Sequence, residues 1–228
     1  LLAGFPTFDE QSADFYDIKE LTRTRLNRRN TRVIAVTPRD EFRYGYRLWI
    51  DESTAMPLKT QLCDTRGHII EQVVFASLTL AGHIPDSAFK PEVATDGFQW
   101  LRNTPRAPAA EAANTSALWS ALKLPPGFHM TVRSAQLMPG AQDPVAHLVF
   151  SDGLASVSVF VETRSEGVPA DPEASSGVAN VGSASAFSTV IDGHKVTAVG
   201  EVPPATVRFI ASSLKRSEPA LSVASPGH

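Results

Sequence analysis

The chain has 228 residues, 43% hydrophobic, 20% charged and 8% aromatic, a globular composition that excludes a disordered tail, a coiled coil or a collagen-like fibre. Its net charge is only −3, from 21 Lys+Arg against 24 Asp+Glu, so no global field recruits nucleic acid or an anionic membrane. No apolar run reaches the roughly 18 residues of a bilayer span, and the single Cys63 permits no internal disulfide while leaving the redox compartment open.

The length allows one large domain or two small ones. The chain opens at Leu1 with neither Met nor signal-peptide pattern and reads as a mature or trimmed piece. Phe15 to Leu21 and Thr31 to Thr37 are expected to form a hairpin around Asn27-Arg-Arg-Asn30, because Asn tolerates the left-handed conformation of a tight turn. The segment from Tyr44 to Ile50 alternates. It places Tyr44, Tyr46, Leu48 and Ile50 on one face and Arg47 and Trp49 on the other. After a turn over 51–57, Leu58, Thr60 and Leu62 face one way and Lys59, Gln61 and Cys63 the other; Asp64 to Gly67 is a second turn, and His68 to Leu80 a third strand. Only the short piece Pro85 to Phe89 reads as helical before residue 105, so the apolar face of this meander either takes its cover from a preceding N-terminal part or is open to a ligand.

Thr104 to Ser116 is a Pro/Ala-rich linker by composition, and six of the 17 prolines lie between Pro105 and Pro144. A second α+β unit follows. Leu124-Pro-Pro-Gly-Phe128 leads into a strand, His147 to Phe150 and Ala155 to Glu162 pair around Ser151-Asp-Gly-Leu154, and Ala186 to Ile191 pairs with Lys195 to Gly200 around Asp192-Gly193. A helix is expected over 201–214, started by Pro203 or Pro204, with Val207, Ile210, Ala211 and Leu214 on one face and Lys215 and Arg216 at its C-terminal end. Residues 163–185 and the tail after Glu218 read as loops rich in small residues.

The histidines at 68, 83, 129, 147, 194 and 228 fall singly, with no metal spacing, and there is no phosphate loop, dinucleotide fingerprint or nucleophile elbow. No catalytic residue, metal or cofactor is therefore assigned. Ser151-Asp152-Gly153 reads as a β-turn rather than a hydrolase motif. Residues 19–47 carry nine basic side chains against three acidic ones. That cluster is a solvated surface, a nucleic-acid surface, against which only Tyr44, Tyr46 and Trp49 interleave, or a site for an acidic partner, a protein segment or lipid phosphate, with Arg28, Arg29, Arg43 and Arg47 as its candidates.

Pro38-Arg-Asp-Glu-Phe-Arg43-Tyr-Gly-Tyr-Arg-Leu-Trp-Ile-Asp51, then Pro57-Leu-Lys-Thr-Gln-Leu62, Gly67-His-Ile-Ile-Glu-Gln72 and Phe75, resemble the MucB/RseB family of periplasmic sigma-factor regulators. Leu124 to Phe128, Leu148-Val-Phe-Ser-Asp-Gly-Leu154 and Val199-Gly-Glu-Val-Pro-Pro204 resemble that family's C-terminal domain. The ordered set runs from about Tyr16 to Leu214.

The resemblance implies an α+β protein of two domains: 1–103, a lipoprotein-carrier-like (LolA/LppX-like) antiparallel half-barrel; 104–116, a linker; 117–218, a smaller α+β domain; and 219–228, a tail. Members carry a signal peptide and further strands and a helix before the point where Leu1 stands, so the half-barrel is expected to be N-terminally incomplete here. The implied function is negative regulation, in the periplasm, of a sigma-E-type, alginate-controlling envelope-stress sigma factor. Such a protein binds the periplasmic segment of a transmembrane anti-sigma factor (MucA/RseA type), shields it from site-1 proteolysis, and is released by lipid, lipopolysaccharide or lipoprotein acyl chains. Acyl chains are expected on Tyr44, Tyr46, Leu48, Ile50, Leu62 and Val74. No nucleic-acid partner and no enzymatic activity are expected, and a homo-oligomer stays open. The alternative is a periplasmic lipid or lipoprotein carrier without a regulatory partner.

Overall fold

A computed structural model describes residues 11–79, 82–91, 93, 97–98, 116, 118–136, 144–162 and 176–216. The expected linker up to residue 115, most of the expected 163–185 loop and the tail lie outside the described residues. A 3₁₀ turn, Gln11–Asp14, leads into a five-stranded antiparallel meander in simple order: β1 (Tyr16–Leu26), β2 (Arg29–Pro38), β3 (Gly45–Asp51), β4 (Pro57–Cys63) and β5 (Ile69–Val74). The first hairpin turns on Asn27 and Arg28, both at positive φ (50° and 64°), the mirror-image turn that matches the twist of paired strands. The third strand ends at Val74, not Leu80, and Asp86–Phe89 is a 3₁₀ turn.

The second unit is a six-stranded antiparallel sheet in the order β10-β11-β12-β9-β8-β7, built from β7 (His129–Gln136), β8 (Val145–Ser151), β9 (Ser156–Glu162), β10 (Gly177–Val181), β11 (Ala184–Ile191) and β12 (His194–Gly200). Helix α1 (Pro204–Ser212) lies on β11 and β12 and buries Thr206, Val207, Ile210 and Ala211. These meet Trp119, Leu148, Phe150, Val157, Val159, Val161 and Val196, each almost wholly removed from water. A two-stranded ribbon, β6 (Trp119–Ala121) with β13 (Leu214–Arg216), adds Trp119 and Leu214 to this core.

Two expectations change. Part of the expected loop is strand β10 and the start of β11, an edge pairing that buries none of β10's side chains and so leaves no alternation in the sequence to read. The helix stops at Ser212, and Lys215 and Arg216 belong to β13 rather than to a helical last turn. The Ser213 hydroxyl reaches the carbonyls of Ile210 (2.9 Å) and Lys123 (2.6 Å), and the Ser213 carbonyl accepts from Leu122 N–H. The helix end is thereby tied to the segment leaving β6, and the buried Leu214 joins the core from the ribbon.

The first sheet has the smaller core. Tyr16, Val36 and Leu48 are buried together, with Phe15, Tyr46, Ile50 and Leu154 packed around them. Leu154 lies in the β8–β9 turn of the other sheet. The face that the sequence leaves open is therefore covered at one end by the second unit.

Candidate functional site at the junction of the two sheets

Arg43 sits in the segment joining β2 to β3, and its side chain is fully buried. Its Nε lies 3.2 Å from Asp152 Oδ2, also fully buried, and 3.5 Å from Asp40 Oδ1. Nη2 donates to the carbonyl of Pro126, while Nε and Nη1 make no hydrogen bond of good geometry. The guanidinium instead lies over three rings, those of Phe15 (4.9 Å), Tyr16 (5.4 Å) and Phe128 (5.2 Å), where ring quadrupoles favour a cation.

Asp152 is held from its own side as well. Its Oδ1 accepts from the N–H groups of Leu154 (2.9 Å) and Ala155 (2.7 Å), and Tyr16 donates its hydroxyl to Oδ2 at 3.0 Å. Burial first, then the Asp152 charge and this hydrogen bond, push the Tyr16 hydroxyl far above its ordinary pKa. It stays a donor at any physiological pH. A buried pair of this kind adds little over an apolar replacement, but removing one partner costs about 3–5 kcal/mol because the other charge is left uncompensated.

Two further bridges flank the pair. Thr206 at the start of α1 donates to the Phe42 carbonyl (2.6 Å), and the Phe42 ring meets Phe209 edge-on, with centroids 5.4 Å apart. On the other flank, Ser183 Oγ is 3.0 Å from Glu71 Oε2 on β5 and 3.0 Å from Glu201 Oε1. One hydroxyl has one proton, so it donates to one of these carboxylates at a time. Burial, followed by the charges of Glu201, Asp152 and Glu71, pushes Tyr46 up to about 12.

The residues expected as sites divide. Arg43 does not stand on a basic rim: the junction consumes it, and in this arrangement it cannot reach a partner or phosphate. Arg28 occupies the exposed hairpin tip, and Arg29 pairs with Asp51 at 2.5 Å. Both line a cleft of about 390 Å³ with Leu58 and Ala76. Arg47 is half-buried opposite Gln61, and its charge partly offsets the burial that raises the Cys63 thiol.

In the strand register Tyr46, Leu48 and Leu62 share a face, since Tyr46 stands opposite Leu62 and Leu48 opposite Thr60. Tyr44 precedes the strand, and Ile50 packs with Tyr46 and Leu48. Val74 does not belong to this set. It stands opposite Lys59, on the other face, and is 45% exposed. Its assignment to the acyl-binding face is corrected by that register, because a strand's alternate residues point to opposite sides. Ser151 is occupied by its turn, donating to the Ala155 carbonyl (2.8 Å) and accepting from Gly153 N–H (3.0 Å).

The Arg43–Asp152 pairing has no motif to announce it. Arg43 is one of nine basic residues in its stretch, and Asp152 is a turn aspartate. The one trace is that Arg43 is flanked by Phe42 and Tyr44, an aromatic setting unusual for a solvated arginine.

Residues 1–93 match the MucB/RseB N-terminal domain and residues 113–215 the MucB/RseB C-terminal domain. The chain belongs to the MucB/RseB family. It is 32% identical over 205 residues to the sigma factor AlgU regulatory protein MucB of Pseudomonas aeruginosa, covering 90% of this chain and 62% of that protein. The chain thus spans less than two thirds of that relative's length. Among solved structures, it superposes on MucB in complex with MucA(peri) with TM-score 0.75 at 30% identity, over 96% of this chain and 74% of the other. On a crystal structure of MucB the TM-score is 0.56 at the same 30% identity, over 91% and 65%.

Proposed function

We propose that this chain is the larger part of a periplasmic regulator that binds the periplasmic segment of a membrane-spanning anti-sigma factor, shields it from site-1 proteolysis and so restrains an envelope-stress sigma factor. The observation that carries this reading is the likeness, across nearly the whole chain, to MucB in complex with MucA(peri). Both halves of the regulator are present in order, as residues 1–103 and 117–218 joined by a linker at 104–116 and followed by a tail at 219–228. The first half is read as a lipoprotein-carrier-like half-barrel and the second as a smaller α+β domain.

Release by lipid has a physical basis in the first sheet. Acyl chains would lie on the face of Tyr46, Leu48, Ile50 and Leu62, with Tyr44 beside it, and gain about 0.8 kcal/mol per buried methylene. Leu154 and the β8–β9 turn occupy one end of that face, so an acyl chain reaching this end competes with the junction. Arg28, Arg29 and Arg47 are the charged candidates for a headgroup phosphate or an acidic partner segment.

The deciding measurement is calorimetric titration of the chain with a synthetic periplasmic segment of a MucA-type anti-sigma factor, followed by digestion of the segment with a site-1-type protease. Saturable binding and slowed cleavage are expected. Binding of an acyl chain with no heat from the peptide would favour a lipid or lipoprotein carrier instead.

A further inference from the structure

Among the described residues the two sheets share no strand pairing. What joins them, among the described residues, is a set of side-chain contacts gathered around one buried charge pair: Arg43 from the first sheet and Asp152 from the second, with Tyr16 on the aspartate and the Phe15, Tyr16 and Phe128 rings around the guanidinium. We infer that Arg43 and Asp152 form a positioning pair, which holds the two sheets in the one arrangement that receives the anti-sigma segment without either side chain touching it. The partner half of this inference rests on the function proposed above; the hold on the arrangement does not.

A buried charge tolerates little displacement from its partner. Small rotations of one sheet against the other carry Arg43 and Tyr16 off the Asp152 carboxylate together, and leave the guanidinium facing Asp40 without Asp152 or the Phe128 ring. Short of full hydration the aspartate is then a charge stranded away from water. The junction is therefore stable when closed, and stable again only when opened far enough to hydrate both groups, which makes it a two-position joint rather than a soft one. Two companion contacts act on the Arg43 segment itself, and the Ser183–Glu71 bridge acts on β5. Phe42, next to Arg43, is held by Thr206 and Phe209 of α1, and the Arg43 fork also grips the Pro126 carbonyl beside Phe128. At equal identity this chain superposes unequally, with TM-scores 0.75 and 0.56, on two MucB structures, a difference between those two structures.

The test uses the whole chain carrying spin labels at Thr22→Cys on β1 and Val181→Cys at the end of β10, both exposed positions on different sheets, while Cys63 is buried. Distance distributions are read by double electron–electron resonance for the parent, Arg43→Met, Asp152→Asn and the double variant, alongside affinity for the synthetic anti-sigma segment. A single narrow distance is expected in the parent. Each single variant should broaden or shift it and weaken peptide binding at least tenfold, about 1.4 kcal/mol. The double variant strands no charge, so it should lose less than the two singles summed.

An unchanged narrow distance in both single variants overturns the inference, and so does a broadened distance with unchanged peptide affinity. If a neutral residue at 43 prevents folding, Arg43→Lys keeps the charge but loses the planar fork to Asp152 and Pro126. It should still shift the distance, and its failure to do so counts against the pair. Should the parent chain bind no peptide, the proposed function falls, while the distance measurement still decides whether the pair holds the sheets.

Discussion

Gly127 offers a direct test of the seat between the sheets. It has φ of +80° and faces the Phe15 ring from the other unit; a Cβ built there would come within 2.6 and 2.7 Å of two ring carbons. Gly127→Ala therefore carries two penalties. An L-residue in the left-handed region costs about 1–2 kcal/mol, and forcing a methyl into a filled site typically costs a further 1–3 kcal/mol or so. Gly67 is the internal control, because its φ is +85° yet nothing lies within 4 Å of its built Cβ. Gly67→Ala should pay the conformational cost alone, so the two variants should differ by about 1–3 kcal/mol. Urea unfolding followed by Trp fluorescence measures both, and repeating Gly127→Ala in a Phe15→Ala background closes a double-mutant cycle. In that background its cost should fall to that of Gly67→Ala. Equal costs for the two glycines, or no coupling to Phe15, would refute the claim that the first unit seats on residues 126–128 of the second.

Three other outcomes are expected. Leu148→Ala removes a fully buried side chain from the larger core and should destabilise by about 2–5 kcal/mol; a loss below about 1 kcal/mol in urea unfolding would mean that this core collapses onto the gap. Asp51 is held at about 2, below its ordinary 3.8, by the Ser53 N–H foremost and by Arg29 and the Ser53 and Thr54 hydroxyls, against its own desolvation. Because the folded value is the lower one, its contribution is present above pH 4 or so and lost as pH falls towards about 2. The stability gap between the parent and Asp51→Asn should therefore narrow across that window, and a gap independent of pH would be inconsistent with it. Arg28→Gly relieves a φ of 64° and should leave stability unchanged or raised by up to about 1 kcal/mol, whereas a clear loss of peptide or phosphate affinity in the same variant would mark Arg28 as part of a binding surface.

The local grammar of the chain was legible without coordinates. Alternating residues around Leu48 and Leu62, the Asp192-Gly193 turn and the Pro-started helix from Pro204 depend on neighbours within a few positions and form as read, while the turn expected over Asn27 to Asn30 closes on Asn27 and Arg28 alone. The strand β10 was not, because an edge strand with no buried side chain carries no pattern. Of the residues expected on one acyl face, the register sets Tyr46, Leu48 and Leu62 on a common side and Val74 on the other, because the pairing of β4 with β5 decides which side is which.

The count of charges made the chain near-neutral with a basic stretch, and composition could go no further. That one arginine of this stretch is buried against an aspartate 109 positions away is decided only by how two sheets meet. Turns and alternation are set by short-range sterics and burial, which sequence spacing records. A charge pair across a junction depends on the distance between two separately folded units, which spacing does not record at all.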